Sequence, residues 1–154
     1  MPSRESARTA NHRQRGVGLI EVLIAILVMS IGILGVAALQ ATALRNSQSS
    51  LERSVAVIQT YSIMDAMRAN RDRAINGDYD LLMNTPCAMP TAGTLAKDDL
   101  IDWLQSLQAA LGPSACGSIG RVGANGNIVV TVQWDDSRGS GGDSAQQLVT
   151  RTQL

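Results

Sequence analysis

Phenylalanine is absent from this 154-residue sequence, and two tryptophans and two tyrosines are its entire aromatic complement. The stacking platforms that single-strand nucleic-acid binders rely on are therefore missing. The single histidine, His12, lies in the first sixteen residues. A histidine-based triad, a histidine general base and a histidine metal site are thus unavailable to the rest of the chain. No Gly-rich phosphate loop and no nucleophile motif occurs. Net charge is also lacking, since 13 basic residues balance 13 acidic ones. That balance conceals an asymmetry. Arg4, Arg8, Arg13 and Arg15 stand against Glu5 alone in residues 1–16, and the remainder, with nine basic and twelve acidic residues, carries −3. A net-negative remainder argues against a surface that grips a phosphate backbone.

What is present begins at Val22. From there to Leu39 the sequence reads VLIAILVMSIGILGVAAL, eighteen residues without a charge and with Ser30 as the one polar side chain. That length is enough to cross a bilayer core of about 30 Å. The basic flank before it is expected to stay cytoplasmic, which sends the following residues to the periplasmic side. A cleaved secretory signal would have a shorter apolar region, about 7–15 residues, and a small-residue cleavage site after it. No such site stands out here.

One residue does not suit a plain anchor. Glu21 opens the apolar run, where an unpaired carboxylate is costly in lipid and needs a partner. The block Arg15-Gly16-Val17-Gly18-Leu19-Ile20-Glu21 resembles the class III leader of type IV prepilins. The resemblance implies cleavage after Gly16 by a prepilin peptidase and an N-methylated new terminus at Val17. It also implies a subunit-assembly role for Glu21, the fifth residue of the mature chain, whose carboxylate would neutralise the terminal amine of a neighbouring subunit. Val17 stands where phenylalanine is usual, and no proline interrupts the apolar run, which points away from the bulk subunit of a filament.

Beyond Leu39 neither Gly nor Pro occurs until Gly77. Leu44, Leu51, Val55 and Ile58 continue an apolar row, flanked by a second row of Val57, Tyr61, Met64 and Met67. The two rows predict one broad face packed on a small sheet. Asn76-Gly77 is the expected helix stop. A rod from residue 17 to about 75 would measure close to 90 Å, so half of it is expected to project from a bilayer. An irregular stretch, Asp78 to Thr94, follows. A second helix is predicted from Leu100, Trp103, Leu104, Leu107 and Leu111 on one face, with Asp98 or Asp99 as N-cap and Gly112-Pro113 as its end. Ser118–Val122 and Asn127–Trp134 read as strands joined by a tight turn at Asn125-Gly126, with Ile128, Val130, Val132 and Trp134 alternating onto one face. Gln146–Thr152 is expected to return as a third antiparallel strand.

Cys87 and Cys116 would join the irregular stretch to the start of the hairpin. A disulfide is expected if this half reaches an oxidising compartment, the alternative being two buried free thiols. Asp135, Asp136 and Asp143 around the Gly/Ser loop are candidate calcium ligands, with a solvated turn the preferred reading. Asp98, Asp99 and Asp102 are read as helix-start residues rather than acid/base groups. Arg68, Arg71 and Arg73 form a small basic cluster, with pairing to Asp65 and Asp72 along the helix preferred over DNA binding.

Over nearly its full length the chain also resembles the PilV type of minor pilin, the type IV pilus modification proteins. The phrases that carry this are Val17-Gly-Leu-Ile-Glu-Val-Leu-Ile-Ala, Ser30-Ile-Gly-Ile-Leu-Gly, Asp65-Ala-Met-Arg-Ala-Asn-Arg71 and Val130-Thr-Val-Gln-Trp134. The implied fold is α+β, a pilin-like lollipop with a long N-terminal hydrophobic helix and a small head of one helix and about three antiparallel strands. The implied organisation is a leader at 1–16, a helix at 17–77 (membrane or filament core 17–40, amphipathic 41–77) and a periplasmic head at 78–154. The implied function is non-enzymatic and needs no cofactor or metal. It is that of a subunit of a priming or tip complex that initiates pilus assembly and supports adhesion and twitching motility. Expected partners are other minor pilins, the major pilin and the inner-membrane assembly machinery, with no nucleic acid. The chain would first be a single-pass inner-membrane protein and then part of an extracellular pilus. A minor pseudopilin of type II secretion is the nearest alternative, and a membrane-anchored periplasmic enzyme or DNA-uptake subunit the more distant ones.

Overall fold

The computed structural model of the chain describes residues 16, 18–84, 86–123 and 127–154. The chain divides into two units, one ending at Gln40 and one comprising Ala41–Leu154. A 51-residue helix, α1 (Leu19–Ala69), contributes to both. The architecture is α+β: α1, a short α2 (Arg71–Asn76), α3 (Leu95–Leu111) and an antiparallel sheet of β1 (Cys116–Val122), β2 (Asn127–Trp134) and β3 (Gln146–Gln153) in the order β1-β2-β3.

In the first unit the apolar helix residues are all solvent-facing. Ser30, the polar interruption, donates its hydroxyl to the Ile26 carbonyl at 2.7 Å, which removes an unpaired donor from an apolar surface.

The second unit holds the core. Its part of α1 buries Ala56, Thr60, Ile63, Met64 and Met67, positions at helical spacing that share one face. This corrects the expected rows in part, since Met64 and Met67 are buried as expected and Val55 packs half-buried against the core. Leu44, Leu51 and Ile58 remain 72%, 63% and 64% exposed, and Val57 and Tyr61 are exposed as well. The docked face includes small and polar residues that a search for large apolar side chains passes over. Thr60 fits because its hydroxyl bonds the Ala56 carbonyl at 2.8 Å. The helix expected to run unbroken to about residue 75 is interrupted at Asn70 (φ −120°, ψ 47°). Asparagine leaves helical geometry readily because its amide finds other partners, and here Nδ2 donates to the Tyr79 hydroxyl at 3.3 Å. The helical run then ends at Gly77, whose φ of +95° is accessible to glycine at little cost.

Helix α3 buries Leu100, Trp103, Leu104, Leu107 and Leu111, the predicted face, and ends at Gly112. Its start is corrected by one turn. Thr94, rather than Asp98 or Asp99, is the N-cap, its hydroxyl accepting from the Lys97 amide at 3.3 Å. Asp98 accepts from the Gly93 amide at 3.4 Å. Between α2 and α3 the described chain forms no regular element beyond an isolated bridge between Leu81 and Ile119.

In the sheet, β2 is central, and Ile128, Val130, Val132 and Trp134 are at most 2% exposed. Pairing runs from Cys116 opposite Gln133 to Val122 opposite Asn127 on one side, and from Asn127 opposite Gln153 to Trp134 opposite Gln146 on the other. The expected turn at Asn125-Gly126 lies outside the described residues. Strand β3 alternates half-buried and exposed residues, so it owes its place to the ladder with β2 more than to apolar burial.

Three polar connections tie the second unit together. Trp103 Nε1 donates to the Gln59 carbonyl at 2.9 Å, joining α3 to α1. The buried Tyr79 hydroxyl donates to Asp99. Burial and that carboxylate push the Tyr79 pKa up to about 12. Arg121 grips Asp80 through Nε and Nη2 and donates from Nη1 to the Ile75 carbonyl at 3.0 Å, at the end of α2. The Cys87–Cys116 disulfide closes across a separation of 29 residues that contains α3, with Cα atoms 5.5 Å apart.

Candidate assembly segment

The residues that lead into α1 decide what this segment can do. Gly16 and Gly18 are exposed. Val17, the expected new terminus, and residues 1–15 of the leader lie outside the described residues. The Gly18 carbonyl accepts from the amides of Glu21 (2.9 Å) and Val22 (3.3 Å), closing the first turn. Glu21 is exposed in that turn. An acidic side chain there is favoured by the unpaired amides and dipole of a helix N-terminus. It forms no ion pair among the described residues. The carboxylate is held at the head of a helix long and apolar enough to cross a membrane, with its charge unmatched by any described cation.

Further along, a shallow groove of about 500 Å³ runs beside Met29, Gly32, Ile33, Val36, Ala37 and Gln40. Apart from the chain neighbours and the helix's own backbone, no atom lies within 4 Å of where side chains on Gly32 and Gly35 would begin. Small residues that meet nothing in their own chain leave room for another helix to approach closely.

Comparison with known proteins addresses this segment directly. Residues 11–37 match the family model of the prokaryotic N-terminal methylation motif. Over that segment, which is well under half of the chain, it is similar to type IV pilins and pseudopilins. The match covers the end of the leader from residue 11, the expected cleavage position, Glu21 and most of the apolar run. It implies processing by a prepilin peptidase and traffic through pilus or secretion machinery. With the apolar helix it fits an inner-membrane anchor bearing a C-terminal head. The motif points to a structural rather than an enzymatic protein. No curated protein and no solved structure matches the chain.

The acidic residues of the 135–143 loop do not converge. Among the described residues no group of three or more His, Cys, Asp or Glu side chains could hold a metal ion. Asp135 accepts from the Ser137 amide at 2.9 Å, and hydrogen bonds from Ser137 hold its carboxyl below the usual range. Asp143 accepts from the Ala145 amide at 3.0 Å. Asp136 is the surprise against the expected solvated turn, because it is 2% exposed. The Ser49 hydroxyl donates to Asp136 Oδ2 at 2.6 Å, and Arg53 lies 3.8 Å from the same oxygen. Ser49 and Arg53, both on α1, carry no pattern of their own, and only the fold brings them to this carboxylate.

The basic cluster is spent on the protein itself. Arg68 pairs with Asp65 at 2.7 Å, the expected pairing within the helix. Arg71 instead donates to the Leu154 carbonyl at 2.9 Å, and Arg73 meets Asp78 at 3.4 Å rather than Asp72. Three arginines divided among Asp65, Thr152, Leu154 and Asp78 make a poor phosphate-backbone stripe.

Proposed function

We propose that this protein is a minor pilin of the type IV pilus, of the modification-protein type, acting in a priming or tip complex from which the filament grows. The leader motif at residues 11–37 carries this reading. The expected cut after Gly16 would leave an amine on Val17, and Glu21 is the acid available to meet the corresponding amine of an adjoining subunit. Opposite unit charges about 4 Å apart at an effective dielectric near 20 attract by about 4 kcal/mol, enough to set the axial register of a newly added subunit. The groove beside Gly32 would admit the neighbouring helix as lipid is replaced by protein. The leader would be residues 1–16, the helical segment 17–77, comprising α1 and α2 with the break at Asn70, and the periplasmic head 78–154, the head giving partner specificity in adhesion and twitching motility.

The test is intact-mass analysis of the membrane form. Loss of residues 1–16 with one added methyl on Val17 is the expected result, and an uncleaved chain overturns the proposal. A Glu21→Gln chain should be processed yet fail to enter pili. Co-purification with pilus subunits distinguishes a minor pilin from a type II secretion pseudopilin, whose partners would be components of the secretion piston.

A further inference from the structure

The second unit carries a cleft of about 500 Å³ with no role in the segment just described. On one side α1 supplies Arg45 and Glu52, and on the other the β2–β3 loop supplies Asp136 and Arg138. The loop is held in place by its buried carboxylate. Besides the Ser49 and Arg53 contacts, the Asp136 carbonyl accepts from the Gly139 amide at 2.9 Å, and its amide donates to the Asp143 carbonyl at 2.9 Å. A Cβ on Gly142 would sit 1.8 Å from the Asp136 carbonyl oxygen. The cleft wall is therefore a set shape, and its size lies within the range of small-ligand sites.

Its charges are sorted. Arg53 serves Asp136, whereas Arg45 and Arg138 form no ion pair within 4 Å among the described residues, Arg138 acting on the neighbouring Asp135 through its charge alone. Glu52 accepts from Gln48 Nε2 at 3.3 Å, a neutral donor that leaves its charge uncompensated. Of the four charged side chains that line the cleft, Asp136 is met by Ser49 and Arg53, and the remaining two cations and one anion match a ligand that carries a phosphate and an ammonium together. Arg45 is six residues beyond Leu39, the end of the apolar run. Six residues span at most about 20 Å even when fully extended, so Arg45 cannot be far from the lipid headgroups if that run crosses the bilayer.

We propose that this cleft binds the phosphoethanolamine headgroup of a membrane lipid, with Arg45 and Arg138 on the phosphate and Glu52 on the ammonium. This rests on the membrane anchoring argued above. The bound lipid would hold the subunit at the membrane surface until assembly exchanges lipid for protein neighbours.

The test is native mass spectrometry of the full chain in detergent, titrated with phosphatidylethanolamine, phosphatidylcholine or phosphatidylglycerol of identical acyl chains. Phosphatidylethanolamine should be retained at least five-fold better than phosphatidylcholine, whose trimethylated nitrogen has no proton to give Glu52. The R45Q/R138Q double variant should lose that retention roughly ten-fold, and E52Q should erase the preference over phosphatidylglycerol. Equal retention of all three lipids, or no effect of either variant, overturns the proposal. Inorganic phosphate that displaces the lipid and binds as tightly indicates a free-anion site and overturns the lipid assignment. Loss of pilin partners from R45Q/R138Q with lipid retention unchanged makes the cleft a protein-docking surface and overturns it too. A chain that does not fractionate with membranes overturns the anchoring itself, a failure distinct from the others.

Discussion

Substituting Gly117 by alanine should damage the second unit far more than a single methyl group ordinarily does. Gly117 lies on β1 opposite Val132, and the Trp103 indole rests against its backbone. A Cβ at this position would stand 2.2 Å from Trp103 Cη2, 2.5 Å from Cζ3 and 3.0 Å from Cζ2. The ring must retreat by more than an ångström to regain van der Waals distance. Its Nε1 is tethered to the Gln59 carbonyl and its surroundings are closed, with 4% of the residue exposed. Overpacking of a core costs about 1–3 kcal/mol, and stranding a buried indole N–H adds about 1–3 kcal/mol if the tether breaks. A loss of about 2–4 kcal/mol is expected, and for a unit of this size it corresponds to a fall in Tm of roughly 10–20 °C. Thermal unfolding followed by tryptophan fluorescence and near-UV circular dichroism measures it. Gly120, three residues along the same strand, is the control, since a Cβ there meets nothing within 4 Å. Gly120→Ala should be neutral or stabilising by about 0.5 kcal/mol, and Trp103→Leu should rescue part of the Gly117→Ala loss. A Gly117→Ala protein melting within about 2 °C of the parent would refute the close packing of indole on strand.

Three further outcomes follow from the same contacts. The Tyr79 pKa is raised from 10.0 to about 12, so folding favours its protonated form. That contribution is complete below pH 10 and fades as pH rises from about 10 to about 12, by about 2–3 kcal/mol in all. Denaturant midpoints across that range should fall more steeply for the parent than for Tyr79→Phe, and parallel curves would contradict the assignment. Reducing the Cys87–Cys116 bridge, which closes a 29-residue separation, should cost about 3–4 kcal/mol by loop entropy, read as a lower urea midpoint in the presence of reductant. Asp136→Ala should release the β2–β3 loop from Ser49 and Arg53, and tryptic cleavage after Arg138 is expected to accelerate several-fold while α3 stays protected. Unchanged cleavage would mean that the glycine packing alone holds the loop.

Much of this protein is written in local order along the chain. An eighteen-residue apolar run needs no tertiary partner to be recognised, because its length against bilayer thickness is the whole argument. The glycine before the expected cut and the glutamate five residues later are likewise a spacing in one dimension. Leu100, Trp103, Leu104, Leu107 and Leu111 could be placed on one face of α3, and Ile128 to Trp134 on one face of β2, because a helix and a strand each repeat with their own period. What the fold alone decided are the pairings between distant residues. The docked face of α1 is chosen by what α3 and the sheet can fit against, so Ala56 and Thr60 are buried while Leu51 and Ile58 face outward. Asp136 reads as a turn acid until Ser49, 87 residues away in sequence, donates to it. Gly117 reads as a weak strand residue until Trp103 lies against it. Periodicity is a property of one element and survives in the sequence, whereas shape and charge complementarity belong to pairs of elements and exist only once the chain has brought them together.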